Sequence, residues 1–241
     1  MSGEREQSAG SGRVSPAPTA SAGPARGWCE QEVERELPGL GLMSDTVEVE
    51  PDGSLTGRST RVVLARLREL SNRWRGARAV NVRQEAIPAA YRVFFRHIGL
   101  DPDVTRTPIE AAVLERMLDG GFLSEGLLAD ILTIALIDTA VPVWALDADT
   151  IEGPLGIRVS RAQECLGRSA QAPELGGGRL VVADAHSALA TLFGEPAPGH
   201  EPTAATRRVA LFAVQVAGVP ALHVEETLWT CRSALGELGR R

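Results

Sequence analysis

Lysine is absent from this chain of 241 residues, and all 25 basic side chains are arginine. Together with the abundance of alanine and glycine, this reflects coding bias and carries no mechanistic weight. Cysteine is scarce: Cys29, Cys165 and Cys231 lie far apart with no CxxC pair, which argues against a disulfide framework or a zinc knuckle. No secretory leader opens the sequence, so the expected compartment is the reducing cytoplasm. Long hydrophobic runs are also missing. The longest, Ile131 to Ile137, is interrupted by Thr133 and flanked by Asp130 and Asp138, well short of the roughly 18 residues that a membrane span requires. No membrane segment is expected. There is no internal repeat and no sustained βαβ alternation, which disfavours a doubly wound sheet and leaves a mixed α+β core.

What is present supports one core. At 44% hydrophobic residues, the chain can bury a single core of about 150 to 200 residues with a smaller appendage. A net charge of -6 and a pI near 5.4 argue against binding nucleic acid through the overall field. The charge is nevertheless segregated. Between Arg58 and Arg96 ten arginines face only Glu69 and Glu85, so this stretch carries about +8 and the remainder about -14. Such a stretch can form an RNA-phosphate face or dock onto acidic groups of the same protein.

Three regions follow from the patterning. Residues 1–27 are Ser, Ala, Gly, Pro and charge without apolar periodicity, and are expected to be a disordered tail. Residues 28–83 form an N-terminal extension with a short strand over 46–50 and an amphipathic helix over 59–76. In that helix Val63, Leu67, Leu70 and Trp74 make one stripe, and Arg61, Arg68 and Arg75 recur every seven residues opposite it. Residues 84–241 are the main domain. Here Ile87–Ile98 reads as a helix, Thr107 with Glu110 forms a capping box opening a helix from Pro108 to Leu118, and Leu127–Thr139 is a further apolar helix. Beyond Pro142, Val143–Leu146, Ile157–Val159, Leu180–Ala183 and Val209–Val219 are strand candidates, and a helix over about 220–238 closes the chain.

Several pieces of this domain fall in one order and spacing: Gly121, Leu128-Ala-Asp130, Pro142-Val-Trp-Ala-Leu-Asp147, Ile151-Glu-Gly153, Leu180-Val-Val-Ala-Asp184, and His200-Glu-Pro-Thr203 with Thr206. In this the chain resembles free-standing B3/4 domain proteins, the module known from the phenylalanyl-tRNA synthetase β subunit. That module has Val-Val-Asp-Val-Thr-Asn-Tyr, Gly-Gln-Pro-Leu-His-Ala-Phe-Asp, Leu-Glu-Gly, Leu-Val-Ile-Ala-Asp and Ser-Glu-Val-Thr in turn. The stretch Tyr91 to Arg116 resembles the helix and loop preceding the core in the free-standing members, so coverage is about residues 84–230.

The resemblance implies an α+β domain with mixed and antiparallel sheets, binding the 3′ end of tRNA and hydrolysing a wrongly attached amino acid. Such ester hydrolysis requires an ordered water, polar groups that hold it and a side-chain pocket. By position, Glu201 and Thr203 are the catalytic candidates, and Thr133, Trp144 and Asp147 the substrate-binding ones. Arg61, Arg68 and Arg75 are the RNA-binding candidates, with tRNA or its aminoacylated 3′ end as partner. No metal or other cofactor is expected. The sequence departs from the family at telling places. The family histidine falls at Trp144, its Thr-Asn pair at Leu132-Thr133, and its Gly-Ile-Met-Gly-Gly stretch near Leu192–Gly199. The alternative is a non-catalytic binding module that kept the fold without the chemistry.

The remaining polar groups have structural readings beside functional ones. His200, next to Glu201 on a Pro- and Gly-rich loop, could supply the imidazole that Trp144 does not, or be a solvent-exposed loop residue. His97 reads as a helix C-terminal histidine. His186 reads as a surface turn residue, and His223 lacks metal-ligand spacing. Asp130 and Asp147 need capping or ion-pair partners, for which Arg106, Arg116 and Arg158 are available.

Overall fold

The computed structural model describes residues 23–169 and 172–238. Its elements in chain order are β1 (Ala25–Arg26), β2 (Trp28–Cys29), α1 (Gln31–Glu36), β3 (Gly41–Glu48), α2 (Arg61–Arg73), α3 (Ala77–Asn81), α4 (Ala86–His97), α5 (Pro108–Asp119) and α6 (Leu127–Thr139). They continue with β4 (Val143–Asp147), β5 (Gly156–Val159), β6 (Leu180–Ala183), β7 (Ala188–Thr191), β8 (Arg208–Gln215) and α7 (Ala221–Leu238). The expected tail falls on residues 1–22, outside the described residues, and on a short stretch in which Ala25 and Arg26 already pair with Ser44 and Met43.

Two four-stranded sheets result, making the fold α+β. The first, in the order β1-β3-β8-β4, is antiparallel throughout. The second, β2-β5-β6-β7, is mixed, because β2 runs parallel to β5. The centre of the first sheet is β8, where Val209 to Val214 are all buried. A run buried at every position has both faces covered, here by α6 and α7 and by the second sheet, whose Ile157, Val182 and Leu189 share one core with Leu42, Leu211 and Leu228. Residues 28–83 are not peripheral to this core. β3 pairs with β8 along its whole length, from Gly41↔Gln215 to Glu48↔Arg208.

Local chemistry sets the helix ends. Thr60 caps α2 by accepting from the Val63 N–H at 3.3 Å. The Glu110 carboxylate accepts from the Thr107 N–H and hydroxyl at 3.4 and 2.7 Å, and Gly120 in the left-handed region (φ 77°) closes α5. The stripe read from the sequence is buried: Leu67, Leu70 and Trp74 meet Ile109 and Val113 of α5 and Ile134 and Ile137 of α6 in a second core. The β2–β5 seam depends on a residue without a side chain. The Trp28 indole lies on Gly156, where an added Cβ would sit 2.1 Å from the ring, while its Nε1–H donates to Pro154 O at 2.9 Å.

Candidate functional site

The parallel joining of β2 to β5 carries α1 alongside the second sheet, and between them, the C-terminal end of α4 and the N-terminal half of α5 lies an open cleft of about 1410 Å³. Its floor is apolar. Trp144 of β4 opens onto it, stacked on Phe212 of the neighbouring strand at 5.5 Å between centroids and 16° between planes. Beside it stands Phe193, 6.0 Å from Trp144, 5.2 Å from Phe95 and 5.8 Å from both Tyr91 and Phe94. The Tyr91 hydroxyl donates to Val214 O at 2.7 Å, fixing α4 to β8.

Phe193 adopts φ 63°, a left-handed conformation that is costly for a bulky residue. The turn after β7 imposes it. Gly194 N–H closes onto Thr191 O at 2.8 Å, and a Cβ on Gly194 would lie 2.0 Å from Thr191 Oγ1, so any larger residue there would have to turn that hydroxyl aside. The opposite wall is tied down by Arg92, which is 8% exposed and bonds Glu110 at 2.5 Å and Asp103 at 2.7 Å. This holds the 101–107 loop, and with it Thr105 and Arg106 at the cleft.

Of the catalytic, substrate-binding and RNA-binding candidates read from the sequence, Trp144 lines the cleft and the others lie elsewhere. Thr133 is half-buried on α6. Asp147, Glu201 and Thr203 come together at the far end of β4, in a loop closed on itself. Asp147 accepts from the Thr206 hydroxyl at 2.6 Å and the Asp149 N–H at 3.0 Å. Thr203 donates its N–H to Thr206 Oγ1 at 2.8 Å and accepts from Ala205 N–H at 3.2 Å, and Glu201 accepts from Gly199 N–H at 2.7 Å. Arg61 and Arg68 are exposed on α2, which ends at Arg73 rather than at residue 76, and Arg75 is exposed just beyond it; among the described residues Arg61 and Arg68 have no ion-pair partner, and Arg75 bonds the Asn72 side chain. Their neighbours Arg66 and Arg73 instead bridge to Asp138 of α6 at 2.8 and 2.7 Å, so the basic stretch is divided between internal pairs and free guanidiniums.

His200 is 4% exposed rather than an exposed loop residue. Its Nδ1 lies 2.9 Å from Thr150 Oγ1, and its carbonyl accepts from Asp147 N–H at 2.8 Å. Burial, and then the charge of Arg168, hold the imidazole below its usual value of 6.5, only partly offset by Asp184 and Glu201. A group whose folded value is depressed contributes stability above its unfolded value and loses it as pH falls through the folded one. Stability is therefore expected to hold above about pH 7 and to decline as pH drops below 6.5. In His200→Asn that decline flattens, as read from denaturation midpoints between pH 5 and 8; an unchanged slope would contradict the assignment.

The other polar groups take structural partners. Asp130 is satisfied by the hydroxyls of Ser59 and Ser124 at 2.5 and 2.6 Å and by Glu125 N–H, not by an arginine. Arg116 donates to Ser71 O, and Arg158 pairs with Glu164. His186 pairs with Glu152 at 3.1 Å. His97 ends α4 at the rim of the cleft. Among the described residues no three His, Cys, Asp or Glu side chains converge as metal ligands, and no helix is long and apolar enough to cross a membrane. Phe193, Arg179 and the glutamates of α1 escape sequence reasoning, because the segments that carry them read as turn, loop and mixed charge; Arg106, read from the sequence as an ion-pair partner for an aspartate, lines the cleft instead.

No family model matches the chain. Among curated proteins it is similar to the phenylalanine–tRNA ligase beta subunit of Xylella fastidiosa (strain Temecula1), 38% identical over 98 residues that cover 41% of this chain and 11% of that protein. The same subunit of Xanthomonas campestris pv. campestris (strain 8004) is 41% identical over 68 residues, 28% of this chain and 8% of that one. That of Xanthomonas oryzae pv. oryzae (strain MAFF 311018) is 36% identical over 99 residues, covering 40% and 12%. The chain spans about a tenth of the length of these relatives. It therefore contains a region similar to part of the beta subunit of a phenylalanine–tRNA ligase.

Proposed function

We propose that this chain is a free-standing B3/4-like domain that binds the aminoacylated 3′ end of a tRNA in the cytoplasm without hydrolysing it. Residues 84–241 correspond to the domain, and residues 28–83 complete its sheet with β3 and add the arginine face of α2. The observation that carries this reading is Trp144. It stands where the family histidine falls, and there it forms an aromatic floor, stacked on Phe212 and beside Phe193, under a cleft large enough for an amino acid and a terminal nucleoside. An indole can shape an apolar side-chain pocket and stack on a base, but it cannot take a proton from water. Glu201 and Thr203 hold backbone groups of their own loop and are not among the residues lining the cleft. Hydrolysis by these two residues is the alternative reading.

Trp144→Ala tests the assignment of the cleft. With a tRNA bearing its amino acid through a non-hydrolysable amide, the wild-type protein is expected to prefer the aminoacylated over the deacylated form. Loss of one aromatic platform should weaken the aminoacylated form about tenfold, as expected for a contact of about 1–3 kcal/mol, with little effect on the deacylated form. Equal binding of both forms by the wild type would sink the reading.

A further inference from the structure

Two exposed patches away from the cleft carry opposite charge, and each includes large apolar side chains. On α7, Leu222 and Trp229 stand seven residues apart and are 69% and 64% exposed, with Glu225 and Glu226 exposed between them. Neither carboxylate has an ion-pair partner among the described residues, and the next cation along the helix, Arg232, bonds the buried Asp45 of β3. The fold itself uses the other side of α7, where Val224, Leu228, Cys231 and Leu235 enter the core. The second patch is basic. Arg61 and Arg68 of α2 and Arg75 just beyond it are exposed on one flank, and beside that flank runs the chain from the end of α5 towards α6. Arg116 bonds Ser71 O at 2.7 Å and Phe122 N–H donates to Ser71 Oγ at 2.8 Å, one turn from Arg68, so the exposed Met117, Leu118 and Leu123 border the arginines.

We propose that these patches are the two halves of one contact, in which the acidic α7 face of one copy of this chain docks on the basic α2–α5 face of the next. Within one molecule they cannot meet. α2 turns its other flank to α6 and α7, where Arg66 and Arg73 bridge to Asp138, and where Val63 and Arg66 share a groove of about 160 Å³ with Thr230 and Ala234. Between copies, Trp229 is the anchor and leaves water against Met117, Leu118 and Leu123, while Glu225 and Glu226 meet the arginines and set the orientation. Exposed ion pairs each contribute modestly, so the contact is weak and reversible. An anionic ligand accounts for the arginine patch alone and is repelled by α7; a second copy accounts for both. Pairing either patch with itself would juxtapose like charges, so the contact is heterologous and copies add head to tail until a ring closes. One consequence rests on the RNA reading above: a copy docked on α2 covers the arginines assigned to tRNA, so tRNA and the next copy compete.

Sedimentation equilibrium of the full chain reads the contact. The average mass is expected to rise above the 25.6 kDa of one chain as concentration increases, and to fall back towards it as salt screens the ion pairs. Trp229→Ala, the pair Glu225→Arg with Glu226→Arg, and the pair Arg68→Glu with Arg75→Glu are each expected to weaken association at least about tenfold. The decisive step mixes the two charge-reversed proteins in equal amounts. Association is expected to return, because each supplies a patch opposite in charge to one on the other, and its return also shows that both variants are folded. A wild-type chain that stays monomeric at about 0.2 mM in low salt, where a contact of submillimolar Kd is well populated, overturns the proposal. So does association that none of the variants weakens, or that mixing does not restore. None of these measurements contains RNA, so their failure leaves the tRNA assignment as it stands. Conversely, deacylated tRNA that leaves the assembled mass unchanged removes tRNA from α2 without touching the pairing of copies.

Discussion

Asp184→Ala is expected to lower the stability of the fold by about 3–5 kcal/mol, the range for removing one partner of a buried ionic network. The Asp184 side chain is fully buried at the β6–β7 turn. Its Oδ1 accepts from the His186 and Ser187 N–H groups, each at 2.8 Å, and its Oδ2 from Glu152 N–H at 2.9 Å and from the Arg168 guanidinium at 2.5 Å. One carboxylate thus shapes the turn, ties it to the segment after β4, and neutralises Arg168, which in turn bonds Glu152 and Ser187. Alanine leaves three main-chain donors without their acceptor and takes from Arg168 its buried carboxylate partner, leaving it Glu152, and the β6–β7 hairpin that presents Phe193 to the cleft loses its anchor. Denaturant unfolding reads the loss directly. A change below about 1 kcal/mol would mean that water replaces the carboxylate, and that the turn is held by its backbone alone.

The second large effect concerns RNA. Changing Arg61, Arg68 and Arg75 together to glutamate is expected to weaken tRNA binding by about 10- to 100-fold at low salt and to reduce the salt slope by roughly three, one per lost phosphate contact. The three guanidiniums are exposed, and none pairs with a carboxylate among the described residues, so the fold should remain intact. Arg66→Ala and Arg73→Ala make the contrast. These two bridge to Asp138 and hold α2 on α6, and their loss should act on stability rather than on the salt slope. An unchanged slope in the triple variant would remove α2 from any RNA face.

Much of the fold was legible in local chemistry. The capping box at Thr107 and the apolar period over Leu127–Thr139 placed α5 and α6, and of the arginine-backed stripe Leu67, Leu70 and Trp74 are buried with Val63 half-buried. Short β-rich runs bounded by Gly or Asp located β4, β5 and β6. What was not legible is pairing between distant segments. Nothing in the sequence says that Gly41–Glu48 aligns with Arg208–Gln215, or that Trp28 lies flat on Gly156. β7, the four residues Ala188–Thr191, lacks alternation because every position but the last is buried, and it is not among the strand candidates read from the sequence.

The site was legible in part for the same reason. The resemblance marked Trp144, which lines the cleft, whereas Glu32 and Glu36 of α1 reach the cleft because β2 docks in parallel on β5 and brings α1 with it. Asp130 shows a different limit. Charge matching points to arginine, but the segment before α2 and the turn before α6 place two serine hydroxyls within reach, and Arg116 and Arg158 are already engaged elsewhere. The composition of its loop leaves His200 open between a pocket imidazole and a solvent-exposed residue, and the fold gives neither: the loop folds back over the end of β4 and closes the imidazole against Thr150.

The most direct test of binding without hydrolysis is release of amino acid from a panel of mischarged tRNAs, comparing the wild-type protein with Glu201→Ala at matched concentration. The account predicts that aminoacylated tRNA is retained by both proteins, with release no faster than in buffer. Release that is accelerated by the wild type and lost in Glu201→Ala would contradict it and make the chain a hydrolase acting through the loop beyond β4.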